Sequence, residues 1–127
     1  MDGLQLKLCD IQGRLFELSV ERKYGSLEFV KAFMMSDTAK ALDSRYNRMQ
    51  WAGEENLKRG EVFSKEVLYW MGYIYRYWHY YTGEESRKIY KQASGKTMKR
   101  NYLMFHTMDP VLAIEDLKEI YRQRQRG

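Results

Sequence analysis

Cysteine and proline are nearly missing from this chain: Cys9 is the one thiol and Pro110 the one proline in 127 residues. A lone cysteine rules out an internal disulfide and any four-cysteine zinc site. A single proline in this length argues against a loop-rich or disordered chain. Histidine is also scarce. His79 and His106 are the full complement, and neither stands in an HExxH or similar ligand spacing, so no metal site is expected. No apolar run reaches the roughly 18 residues that a membrane-spanning helix needs. The start, Met1-Asp2-Gly3, lacks the charged-then-apolar layout of a signal peptide. Phosphate-cradling GxxxxGKS/T and GxGxxG motifs do not occur, and Ser94-Gly95-Lys96-Thr97 lacks the upstream glycine of a phosphate loop. The expectation is a cytoplasmic protein without a cofactor and without a membrane partner.

What the chain does contain is charge, unevenly placed. Hydrophobic residues make up 44% and charged residues 31%, enough for one modest core and a single domain over 1–127. Residues 1–85 hold 12 basic and 13 acidic side chains, whereas residues 86–127 hold 10 and 4. The excess of +5 therefore belongs to the last third. Candidate binding residues are Arg87, Lys88, Lys91, Lys99, Arg100, Arg122 and Arg124. Such a surface attracts an acidic protein or nucleic-acid phosphates over a distance that salt shortens. The plain reading of the same residues is a solvated helix face with a frayed basic tail at 122–127.

Hydrophobic spacing reads as helix throughout. Leu4, Leu8, Ile11, Leu15 and Leu18 recur at steps of four and three, a stripe predicting a helix over about 4–23, buried along that stripe. Gly25 is placed to end it and Ser26 to cap a second helix near 26–35. Ser36 or Asp37 caps a short turn through Leu42, and a helix is expected over 45–58 with Met49, Trp51, Ala52 and Leu57 inward. Residues 64–81 are apolar or aromatic on every side, so a helix there is the central one. Eighteen residues without a turn signal exceed a typical strand. Gly72 allows a neighbour to approach its midpoint. Thr82-Gly83-Glu84-Glu85 matches a capping box, Thr97 caps a further segment, and Asp109-Pro110 starts the last helix. The fold class is all-α: a helical bundle of six or seven helices around 64–81.

Chemistry-bearing residues are few. Arg76 and His79, three apart on the central helix, can form a buried polar network with Tyr73 and Tyr77. Cys9 reads as a small core residue. The segment Arg100-Asn101-Tyr102-Leu103-Met104-Phe105-His106 resembles the Arg-polar-x-x-x-x-His signature of HEPN domains, small all-helical proteins that often act as metal-independent ribonucleases. In that family the arginine and histidine meet at a dimer interface and assist attack of a ribose 2′-hydroxyl on the adjacent phosphate. The resemblance implies a catalytic role for Arg100, Asn101 and His106 and a homodimer. This chain departs from the pattern at Thr107-Met108-Asp109-Pro110, a break directly after the histidine, where the family keeps it inside a helix.

A broader resemblance rests on Tyr46–Glu55, Tyr69–Trp78 and Asn101–Pro110. These segments are similar to small uncharacterised bacterial proteins encoded near toxin–antitoxin-like genes, whose neighbouring toxin resembles an ADP-ribosyltransferase. It implies an accessory or antitoxin role, exercised by covering a protein partner, and supplies no catalytic residues. A non-enzymatic binding protein is the reading that accommodates both the charge asymmetry and the scarcity of reactive groups.

Overall fold

The computed structural model describes residues 1–44 and 59–126. Seven helices and no strand occur among them: α1 (Gly3–Glu21), α2 (Ser26–Met34), α3 (Asp37–Asp43), α4 (Lys65–Thr82), α5 (Ser86–Gln92), α6 (Gly95–Phe105) and α7 (Pro110–Arg126). The helix expected over 45–58 lies outside the described residues. The chain is an all-α bundle, with α4 at its centre as the aromatic spacing predicts. This helix packs on α1, α5, α6 and α7 and buries Leu68, Met71, Ile74, Tyr75 and Trp78. Each large apolar side chain so removed from water contributes about 1.5–3 kcal/mol.

Local chemistry sets the helix ends. Asp2 and Gln5 form a reciprocal capping box at the start of α1. Ser36, Ser64 and Ser94 accept from backbone N–H groups at the starts of α3, α4 and α6. The Asp109 carboxylate accepts from Val111 N–H at 2.9 Å beside Pro110. Elsewhere the expected caps are displaced. Lys23, with φ 59°, takes the left-handed turn after α1 instead of Gly25. Ser26 leaves its capping position: its Oγ accepts from Phe63 N–H at 2.8 Å, and its own N–H donates to the Glu61 carbonyl at 2.8 Å. Thr97 yields its capping role to Ser94. The capping box at Thr82–Glu85 does not form. Gly83 ends α4 with φ 78°, Thr82 Oγ1 donates back to the Trp78 carbonyl, and Glu84 turns inward.

The buried face of α1 is the main departure from the spacing. It consists of Cys9, Gln12, Gly13, Phe16 and Ser19, while Leu4 and Leu18 of the leucine stripe remain 61% and 41% exposed. Backbone proximity explains the choice. A Cβ on Gly72 would stand 2.6 Å from the Gln12 carbonyl oxygen and 2.9 Å from Gly13 Cα. Two glycines facing each other let α1 and α4 touch along their backbones, and that contact selects a small-residue face over the leucines. Phe16 then fills the adjoining space, edge-on to Phe29 and Phe33 at 5.1 and 5.3 Å.

Candidate functional site

Arg76 projects from the middle of α4 into the bundle and is fully enclosed. Its guanidinium donates to Gln12 Oε1 at 2.8 Å, to Asp43 Oδ1 at 2.7 Å and to Ser86 Oγ at 3.3 Å. Asp43 in turn accepts from the Ser86 backbone N–H at 2.8 Å and from its hydroxyl at 2.7 Å. Gln12 closes the set by donating to the Gly72 carbonyl at 3.0 Å. His79 stands at the edge, with Nδ1 at 2.7 Å from the Glu84 carbonyl and 3.7 Å from Asp43 Oδ1. A buried cation is tolerable only when matched in this way. Among the described residues no buried side-chain nitrogen or oxygen lacks a partner, and the network joins α1, α3, α4 and α5. Tyr73 and Tyr77 stand apart from it. They belong to a ring ladder, Tyr69–Tyr73–Tyr77, with centroids 6.1 and 6.2 Å apart.

A second polar centre lies between α5 and α7, where the inward turn of Glu84 gathers donors. Trp78 Nε1 donates to Glu84 Oε1 at 3.0 Å, Lys118 Nζ to the same oxygen at 2.7 Å, and Gln92 Nε2 to Oε2 at 2.7 Å. Burial by itself would push the Glu84 carboxyl up. Hydrogen bonds from Lys118, Trp78, Gln92 and Thr82 outweigh it and hold the group at about 2. Above this carboxylate opens a hollow of about 310 Å³ lined by Lys88, Lys91, Gln92, Lys118, Tyr121 and Arg122. Lys118 and Lys88 both pair with this carboxylate, at 2.7 and 3.7 Å, and Arg122 pairs with Glu119 at 3.0 Å, so Lys91 is the lining cation without an ion pair among the described residues.

The basic residues singled out by sequence divide between this hollow and other places. Lys88, Lys91 and Arg122 line it. Arg87 pairs with Asp37 at 3.5 Å, Lys99 lies over the Phe63 ring at 5.3 Å, and Arg124 donates to Thr97 Oγ1 at 3.2 Å. The tail expected to fray continues as helix through Arg126. Lys118 and Tyr121 were not among the candidates, although Lys118 precedes Arg122 by one helical turn on α7, a spacing that places both on one face. Glu84, Asp43, Ser86 and Gln12 carry no sequence signal, because they come together from distant parts of the chain.

Arg100 and His106 lie about 120° apart around the α6 axis. His106 follows the last helical residue, with Nδ1 at 2.8 Å from the Tyr102 carbonyl and its ring stacked on Tyr102 at 4.3 Å. Asn101 donates to the Thr97 carbonyl at 2.9 Å. Of these three, His106 lines the groove between α1, α4 and the α6–α7 turn. Among the described residues no group of three or more His, Cys, Asp or Glu side chains could hold a metal ion, and no helix is long and apolar enough to cross a membrane. No family model matches the chain, and no curated protein or solved structure matches it.

Proposed function

We propose that this protein is a non-enzymatic binding module that docks the α5–α7 face on an acidic protein surface and covers it. One observation carries the reading: Lys88, Lys91, Lys118 and Arg122 converge on one hollow from two helices. The two helices present these cations on one face, where they complement opposing carboxylates, with the exposed Lys88 and Arg122 side chains ordered only on binding. The Arg76 network supports the same reading, because it braces α5 against the core through Ser86. In its narrower form the partner is a toxin whose active or substrate site the face occludes, as the resemblance implies.

The test is co-expression with a toxin encoded in the adjoining gene. Wild type should restore growth and co-purify with the toxin in a complex that dissociates at about 0.5 M salt. Lys91→Glu/Arg122→Glu should do neither while melting as wild type does. A complex that survives high salt, or one that the charge reversal leaves intact, would place the contact elsewhere. A short RNA held more tightly than the protein partner, with a steep salt slope, would make the face a nucleic-acid surface.

A further inference from the structure

Toward the N-terminal end of α4, away from the Arg76 network along the helix, α1, the first half of α4 and the turn between α6 and α7 border a groove of about 640 Å³. Rings make its walls. Tyr69 and Tyr73 stand along α4 at 6.1 Å, Trp70 meets the edge of Tyr102 at 5.7 Å, and His106 stacks on Tyr102. Asp10 accepts a hydrogen bond from the Tyr69 hydroxyl, fixing that ring against α1.

The cations at the rim are already engaged. Arg14 is paired with Asp10 at 3.2 Å and Lys65 with Glu21 at 2.9 Å. Glu17 and Glu66 also line the groove, and neither forms an ion pair among the described residues. The lining thus holds two carboxylates and two cations; with Arg14 and Lys65 already engaged by Asp10 and Glu21 outside it, Glu17 and Glu66 are the lining carboxylates left beside the electron-rich ring faces. Both features favour a cation: ring quadrupoles attract it, and a guanidinium adds flat stacking on tyrosine that an ammonium lacks. Spacing narrows the ligand further. In an extended strand, side chains two residues apart lie on one face about 6.6 Å apart, close to the 6.1 Å between the Tyr69 and Tyr73 rings.

We propose that this groove binds an extended segment of a partner protein carrying arginines at alternate positions, each guanidinium lying on one tyrosine ring, with Glu17 and Glu66 holding the charge. The site is separate from the basic α5–α7 face. A protein with both surfaces can hold an acidic body and a basic tail at once.

The probe is a labelled synthetic peptide, Gly-Arg-Ser-Arg-Ser-Arg-Gly, followed by fluorescence anisotropy with the full chain. A second peptide replaces every arginine with citrulline, which keeps the flat shape and removes the charge. The arginine peptide should bind at least about tenfold more tightly than the citrulline peptide. Glu17→Gln/Glu66→Gln should remove most of that difference, and Tyr73→Leu should weaken the arginine peptide. Lys91→Glu/Arg122→Glu, at the other face, should leave binding unchanged. Melting curves and near-ultraviolet circular dichroism establish that each variant is folded. Equal affinity for the two peptides, or an unaltered difference in folded Glu17→Gln/Glu66→Gln, overturns the proposal.

Discussion

Gly72→Ala offers a sharp test of the α1–α4 crossing. In an isolated helix the change is favourable by about 1 kcal/mol, because alanine loses less backbone entropy than glycine. Here the added methyl would meet the Gln12 carbonyl oxygen at 2.6 Å, Gly13 Cα at 2.9 Å and the Phe16 ring at 2.9 Å. Two of those atoms are backbone and cannot swing aside, so relief requires the helices to part by nearly an ångström. A gap of that width forfeits a quarter to a half of the dispersion attraction at each affected contact. It also stretches the 3.0 Å hydrogen bond from Gln12 Nε2 to the Gly72 carbonyl. Overpacking of this kind costs about 1–3 kcal/mol and sometimes more; backbone-on-backbone contact belongs at the upper end. After the propensity gain the net loss is about 2 kcal/mol, which lowers the melting temperature of a chain this size by about 8 °C. Gly3→Ala, in α1 but with nothing within 4 Å of the new methyl, is the internal control and should be neutral or slightly stabilising. Thermal and urea unfolding followed by circular dichroism measure both. If Gly72→Ala melts at or above wild type, the two glycines do not face each other and the account of the α1 face is wrong.

Arg76→Met should be destabilising by about 3–5 kcal/mol in urea unfolding, since it strands the Asp43 carboxylate, 8% exposed, inside the bundle. A loss under about 1 kcal/mol would mean that Asp43 finds water instead. Stability should fall as pH drops from about 4.5 toward about 2. The Glu84 carboxyl titrates lower in the folded chain than in the unfolded one, so its contribution is complete above the unfolded value and is lost through the folded value. Glu84→Gln should flatten that acid limb, and an unchanged limb would assign it to other carboxylates. Cys9 is fully buried, and desolvation pushes its thiol up to about 12; the native protein should resist alkylation at neutral pH and react only as fast as it unfolds. Rapid labelling of the folded chain would contradict the placement of α1.

Helix content, the central position of residues 65–82 and the starts of α3 and α7 were legible in the residues, because they depend on short-range patterns. Ser36 caps α3 from just ahead of it and Asp109-Pro110 begins a helix for reasons internal to the pair, whereas Ser26 is drawn instead to the Phe63 N–H. The leucine stripe of α1 misled because periodicity reports which face is apolar, not which face a neighbour can approach. Gly13 and Gly72 are 59 positions apart in the chain, and only their meeting reveals that close backbone contact outweighs leucine burial there. The basic last third was equally plain as composition. That Lys88, Lys91 and Arg122 share a hollow with Lys118, while Arg87, Lys99 and Arg124 are held elsewhere, depended on the packing of α5 against α7.

The amino-acid order thus specified the secondary structure and the sign of the surface charge, both sums over neighbouring residues. Tertiary packing decided which side chains face each other: the Arg76–Asp43–Ser86–Gln12 network, the Glu84 cluster and the aromatic groove each join helices far apart in the chain. No local pattern encodes such a meeting, since its energy exists only once the partners have been brought within reach.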